Sequence, residues 1–138
     1  MYEKLGQFID GKWQQSSDKG TYEVINPATE EVIGHASKAT SDDVERALQS
    51  AKKGLEVWKK TPPWQRSYII RRIADKMREK QDVLAKWMTL EVGKPLAEAK
   101  AEINGAADIF EWNAEETKRI FGQTVESRFE DTRVHVYY

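Results

Sequence analysis

Cysteine is absent from all 138 residues. Its absence excludes disulfides, thiolate metal sites and a cysteine nucleophile within this chain. Glycine is sparse, at eight residues, and no glycine-rich loop of the kind that cradles phosphates can be drawn from it. Long apolar runs are missing as well. Met1 to Gln15 holds no stretch long enough for a secretory signal, and no later stretch approaches the length needed to span a bilayer. Neither sign of charge dominates: 22 basic and 23 acidic side chains give a formal net charge of −1. No basic field exists to attract a nucleic-acid backbone. The expectation is a soluble cytoplasmic protein, with neither nucleic acid nor membrane among its partners.

What is present is a foldable composition. Charged residues make up 33% and hydrophobic ones 39%, too rich in aromatic and branched side chains for disorder. The length suits one domain that buries roughly two-thirds of its unfolded surface. There are no internal repeats, no low-complexity tract and no evident interdomain linker.

The first forty residues read as strands. Phe8-Ile9-Asp10-Gly11-Lys12-Trp13 has the pattern of a short hairpin, since Asp-Gly accepts the positive backbone angles of a tight primed turn. Tyr22-Glu23-Val24-Ile25 favours extended structure. Asn26-Pro27-Ala28-Thr29-Glu30 then turns the chain, and Glu31-Val32-Ile33-Gly34-His35-Ala36 returns as a second strand.

Helices follow. Thr40-Ser41-Asp42-Asp43 offers a capping hydroxyl with an acid three residues on. Beyond it Val44, Ala47, Leu48, Ala51, Leu55 and Trp58 recur on one helical face, and Asp42 with Arg46 forms a favourable pair. Thr61-Pro62-Pro63 restarts the chain. Ile69, Ile70, Ile73, Ala74 and Met77 form the next stripe. Glu79-Lys80-Gln81-Asp82 marks a break, and Val83, Leu84, Trp87, Met88 and Leu90 form a third stripe that Gly93 and Pro95 stop. A fourth helix is expected over residues 95–121, with Leu96, Ala99, Ile103, Ala106, Ala107 and Phe110 as its apolar positions and Gly122 as its cap. Gly105 in its middle reads as a close-packing position. Thr132 to Tyr138 reads as a strand that ends at the last residue, which suggests either an edge strand or a truncated chain.

Few side chains suggest chemistry. His35 and His135, the two histidines, fall in predicted strands without a neighbouring acid and hydroxyl in a triad arrangement. Trp58, Trp64, Trp87 and Trp112 read as helix-packing anchors first and subunit contacts second. Glu111, Glu115 and Glu116 read as a solvated face, with Glu115 and Arg119 as an ion pair. Glu91 is different. It falls in the last turn of a helix, where the dipole and the unpaired carbonyls are already negative. Either Lys94 neutralises it, or a sodium or potassium ion does, held by carbonyl oxygens and this one carboxylate.

Three segments in order carry a family resemblance: residues 8–13, Val24-Ile25-Asn26-Pro27-Ala28-Thr29, and Thr89-Leu90-Glu91-Val92-Gly93-Lys94-Pro95-Leu96-Ala97-Glu98-Ala99. They resemble the N-terminal part of the NAD(P)-dependent aldehyde dehydrogenase superfamily. Glu111-Trp112-Asn113-Ala114-Glu115-Glu116-Thr117-Lys118-Arg119-Ile120-Phe121-Gly122-Gln123-Thr124 is similar to the succinate-semialdehyde dehydrogenase branch. Glu30 and Val92 depart from the common pattern, which often has glycine and threonine there. The resemblance implies an α+β segment of an α/β aldehyde dehydrogenase fold, with N-terminal β-hairpins, three to four helices and a C-terminal strand of the oligomerisation arm. Residues 1–39 would be the strand region, 40–122 the helical region and 123–138 the start of that arm.

The resemblance further implies that a cysteine thiolate attacks an aldehyde, that hydride passes to NAD or NADP, and that a glutamate activates water to release a carboxylate. Family members carry these groups beyond the part this chain resembles. No catalytic or cofactor-binding residue is therefore assigned here, and the segment alone is expected to be inactive. The same resemblance places Glu91 and the carbonyl near Ile25 at a monovalent-cation site. The expected partners are the remainder of a dehydrogenase chain and other subunits of a homo-oligomer, with pairing of the 133–138 strands as one contact. The alternative is a free-standing helical interaction or assembly module derived from a truncated dehydrogenase.

Overall fold

The structure, a computed structural model, describes residues 6–138; the first five residues of the strand region lie outside the described residues. Chain order is β1 (Gln7–Ile9), β2 (Lys12–Gln14), β3 (Thr21–Ile25), β4 (Val32–Ser37), α1 (Ser41–Trp58), α2 (Pro63–Glu79), α3 (Gln81–Val92), α4 (Leu96–Glu116), a 3-10 turn (Thr117–Arg119), β5 (Gln123–Glu126) and β6 (Arg133–Val136). The strands form three separate antiparallel pairs, β1-β2, β3-β4 and β5-β6. This is an α+β arrangement of four helices and short hairpins.

Local sequence explains most boundaries. Asp10 and Gly11 both take positive φ, 53° and 74°, as a two-residue primed turn requires. Phe8 and Trp13 face each other across it, with ring centroids 5.3 Å apart. In the β3-β4 turn, the Ala28 amide donates to Asn26 Oδ1 at 3.0 Å and the Glu30 amide to the Asn26 carbonyl at 2.8 Å. Glu30 has φ 59°. The turn needs a left-handed residue there, which is why glycine suits the position and why glutamate occupies it at some strain. Lys80 alone separates α2 from α3. Gly93 ends α3 in the left-handed conformation, φ 76°, and its amide caps the Thr89 carbonyl at 2.9 Å.

The core lies among α2, α3 and α4 and is built largely of alanine. Ala74, Ala85, Ala99, Ala107 and Ala114 are fully buried and Ile103 nearly so; Leu84 and Met88 pack against the Ala85, Ala99 and Ile103 cluster. Small side chains at the contact bring helix axes close together. Beside this seam the Arg71 guanidinium donates to Glu111 (2.7 Å) and to Glu115, and Arg78 donates to Asp108 (2.6 Å) and Glu111 (2.8 Å). The Glu115 bond foremost raises the Arg71 pKa, and the Asp108 bond foremost raises that of Arg78. Each pair is partly solvated and contributes little by itself. Planar guanidinium forks shared among three carboxylates fix the α2-α4 register.

Several expectations are corrected. The C-terminal strand is an edge strand, but it has a partner that the sequence reading did not foresee: β5 pairs with it, Val125 opposite Val134 and Thr124 opposite His135. The polar, short β5 carried no apolar alternation to announce it. The fourth helix runs Leu96–Glu116 and tightens to a 3-10 turn that ends at Arg119, and the chain leaves helical angles at Ile120. Gly122 is therefore no helix cap; a Cβ there would lie 2.5 Å from the Val136 carbonyl oxygen, so it serves the close approach of the β5-β6 ribbon. Gly105 is not close-packed by the described residues, none of which a Cβ there would meet within 4 Å. The tryptophans do not anchor the core: Trp64 and Trp112 are largely exposed, and Trp58 and Trp87 more than a third so. Alanine-lined helix contacts leave no room for indoles. Arg46 pairs with Asp43 rather than Asp42, and Arg119 with Glu116 rather than Glu115. Both choose the partner three residues back, since Asp43 is held at the helix mouth and Glu115 is taken by Arg71 and Lys118.

Candidate functional site

Two junctions position polar groups. At the first, Asp43 is the largest fully buried side chain of the described residues. It is the N3 residue, the last, of the capping box whose hydroxyl is Thr40. Its carboxylate accepts from the Thr40 amide (2.9 Å), the Ser17 amide (3.2 Å), the hydroxyls of Ser16 and Ser17 (2.9 Å each), Gln7 Nε2 (3.3 Å) and Arg46 (2.5 Å). Ser16 Oγ also stands 2.8 Å from Asp18 Oδ1, so its single proton serves one carboxylate at a time. The Thr40 amide foremost, with the Ser16 and Ser17 donors, holds the Asp43 carboxyl far below the usual carboxylate range, against the opposing effect of burial. This junction ties the segment after β2 to the mouth of α1. On its exposed side the Ser17 and Thr40 hydroxyls are hydrogen-bonded to each other at 2.8 Å. Sequence announced the cap; the donors from residues 7, 16 and 17 lie too far away in the chain to be read from it.

At the second junction the end of α3 meets the turn that follows β3. A Cβ on Gly93 would stand 3.0 Å from Pro27 Cγ, so only glycine fits comfortably there. Ile25 ends β3, at an irregularity in the strand register, and is 48% exposed. Glu91 lies in the last turn of α3 and is exposed. Lys94 pairs with Glu102, which raises the lysine pKa. Thr89 Oγ1, one helical turn before Gly93, is buried without a hydrogen-bond partner. No cluster of three or more histidine, aspartate or glutamate side chains suited to a metal gathers among the described residues. A site of main-chain carbonyls and one carboxylate is a different kind of arrangement.

The histidines do not assemble a catalytic group. His35 stands opposite Glu23 in the β3-β4 pair. His135 Nδ1 lies 3.0 Å from Thr124 Oγ1 on the exposed face of the ribbon, with Tyr137 beside the ring. A hydroxyl and an imidazole on a solvated two-stranded ribbon lack the third group that orients a base and the donors that hold an oxyanion. No helix of the described residues is long and apolar enough to cross a membrane.

Known proteins resolve what such an arrangement belongs to. The chain is 43% identical over 129 residues to glutarate-semialdehyde dehydrogenase of Pseudomonas aeruginosa, covering 94% of this chain and 27% of that protein. It is 41% identical over 128 residues to the NADP(+) succinate-semialdehyde dehydrogenase of Escherichia coli K12, covering 93% and 27%. Among solved structures, an NADP-dependent enzyme of E. coli superposes with a TM-score of 0.91 at 39% identity, over 96% of this chain and 27% of that one. Betaine aldehyde dehydrogenase of Staphylococcus aureus in complex with NAD+ superposes at 0.87 and 34% identity, over 94% and 26%. The chain therefore spans about a quarter of the length of these relatives. The sequence profile of the aldehyde dehydrogenase family matches residues 13–138, and with the fold matching over the same span, the chain belongs to that family.

Proposed function

We propose that this chain acts as the N-terminal scaffold of an NAD(P)-dependent semialdehyde dehydrogenase and supplies none of the reacting groups itself. The observation that carries the reading is the absence of any cysteine in a chain whose sequence matches about a quarter of two semialdehyde dehydrogenases. A thiolate and a nicotinamide site would come from the remainder of a dehydrogenase chain, in a cytoplasmic homo-oligomer. The β5-β6 ribbon supports the assembly part of this reading. All its strand residues are exposed, and a two-stranded ribbon with both edges open is marginal without a partner.

The test is direct. The chain alone, with succinate or glutarate semialdehyde and NAD or NADP, should give no change in nicotinamide absorbance. The chain mixed with the missing portion of a relative should restore turnover. Sustained oxidation by the pure chain alone would overturn the reading.

The Ile25 carbonyl and Glu91 are proposed to share a sodium or potassium ion. What supports this is the meeting of the α3 C-terminus with the β3-β4 turn at Gly93 and Pro27. Replacing choline chloride by potassium or sodium chloride at constant ionic strength should raise the Tm, and Glu91→Gln should remove the difference. An identical Tm in all three salts would end the proposal.

A further inference from the structure

We infer that Asn104 is a deamidation site and that local opening of α4 gates it. The reaction is intramolecular. The Gly105 amide nitrogen gives up its proton to solvent base and attacks the carbonyl carbon of the Asn104 side chain. Ammonia leaves, and a cyclic succinimide remains. Water then opens the ring at one carbonyl or the other. The products are aspartate and isoaspartate, the latter carrying the main chain through the former side chain. The net change is amide plus water to acid plus ammonia, with no oxidant and no other reactant.

The asparagines are Asn26, Asn104 and Asn113, and the structure separates them. Asn26 precedes Pro27, which has no amide N–H to attack with. Asn113 precedes Ala114, whose methyl group obstructs the approach and which is fully buried. The Asn113 side chain is also held, its Nδ2 donating to the Ile109 carbonyl at 2.8 Å. Asn104 precedes a glycine. Both residues are exposed, and the Asn104 amide makes no hydrogen bond among the described residues. None of those residues stands within 4 Å of where a Gly105 Cβ would be.

Helix geometry restrains the reaction. Gly105 lies inside α4, where its N–H bonds back to the carbonyl four residues earlier and the Asn104 ψ is fixed near the helical value. Ring closure requires that angle to rotate and that bond to break. Gly105 makes opening easier at the same spot, since an interior glycine destabilises a helix by about 1 kcal/mol relative to alanine. Opening and attack thus share one residue.

Either product acts on the alanine seam. An aspartate at this position stands one turn before Asp108, a like-charge pair on a helix, and Asp108 is an acceptor of Arg78. Isoaspartate does more. It adds a main-chain carbon between Ile103 and Ala107, both buried, so the two lose the helical spacing that seats them. Modification therefore turns a transient opening of α4 into a lasting one.

Peptide mapping tests the assignment. The chain is held in mildly alkaline buffer, folded or unfolded in urea, and sampled over time. Tryptic cleavage after Lys100 and Lys118 releases residues 101–118, which hold Asn104 and Asn113 together, so tandem mass spectrometry reads both from one peptide. Urea should accelerate deamidation of Asn104 at least tenfold, because in the folded chain the chemistry passes through local opening. Asn113 should lag in both conditions. Gly105→Ala should slow Asn104 at least tenfold even in urea, while the helical circular dichroism of the folded variant is unchanged or increased. The isoaspartate form, separated by chromatography and refolded, should have a lower urea midpoint than the unmodified chain. Asn104→Asp, which adds the charge without the extra carbon, should fall between them. Equal rates in the folded and unfolded chain would overturn the gating by α4. An Asn104 no faster than Asn113 in urea, or one that Gly105→Ala leaves unchanged, would overturn the site. An isoaspartate form as stable as its parent would overturn the effect on the seam.

Discussion

Helices α1 and α4 are of similar length and both carry apolar stripes, yet they are held in opposite ways. Helix α4 is fastened along its length by buried alanines and Ile103. The one buried residue of α1 is the charged Asp43. Its apolar stripe stays open: Leu48 is 59% exposed, and Val44 and Leu55 more than half. Packing fixes α4 throughout, whereas hydrogen bonds fix α1 at one end. A carboxylate can be buried in this way because every donor it needs is already oriented around it. An apolar stripe has no such self-sufficiency; it is satisfied only when another surface arrives.

Breaking the polar fastening should have the largest effect. Asp43→Ala would leave the amides of Thr40 and Ser17 and the Arg46 guanidinium without their acceptor. Loss of stability should exceed that of every other substitution named here, with hydrogen exchange rising first at residues 15–18 and 40–46. Exchange rising uniformly through α2 to α4 instead would show that the junction and the helical core are one cooperative unit. The junction also dictates a pH dependence. The folded Asp43 carboxyl titrates far below its unfolded value, which is about 3.9. Its contribution is therefore complete above that value and drains away as pH falls below about 4 towards the folded pKa. In Asp43→Asn this acid-side loss, followed by urea midpoints against pH, should be reduced.

Overpacking the alanine seam comes next. Ala107→Leu puts three extra carbons where the residue is fully buried, at an expected cost of about 1–3 kcal/mol, seen as a lower urea midpoint. Gly93→Ala should cost about 1–2 kcal/mol, because a side chain must enter the left-handed region and its Cβ would press on Pro27. The smallest effect is expected on the open stripe of α1. Leu48→Gln should shift the stability of the isolated chain by no more than about 0.5 kcal/mol, as at an ordinary surface site. A loss of core size there would mean that the stripe is covered after all.

The legibility of the sequence follows the same division. The Asp10-Gly11 turn, the Thr40 cap, the break at Lys80 and the stop at Gly93 were all readable, because each is decided by residues within a few positions of one another. Glu91 and Ile25 could be joined only by resemblance, since their separation in the chain is far greater than any local rule reaches. Strand β5 was missed because Gln123-Thr124-Val125-Glu126 is too short and polar to show alternation. The tryptophans were misassigned because hydrophobic size predicts burial only when a surface exists to bury it against.

By itself the sequence determined where backbone conformation changes and which faces are apolar, for these depend on local sterics, hydrogen-bond chemistry and periodicity. Tertiary structure alone decided which apolar faces are closed and which stay open. It also decided that the fully buried charge would be Asp43, whose donors come from residues as far away as Gln7. Burial is a property of two surfaces meeting, and a sequence records each surface without recording the meeting.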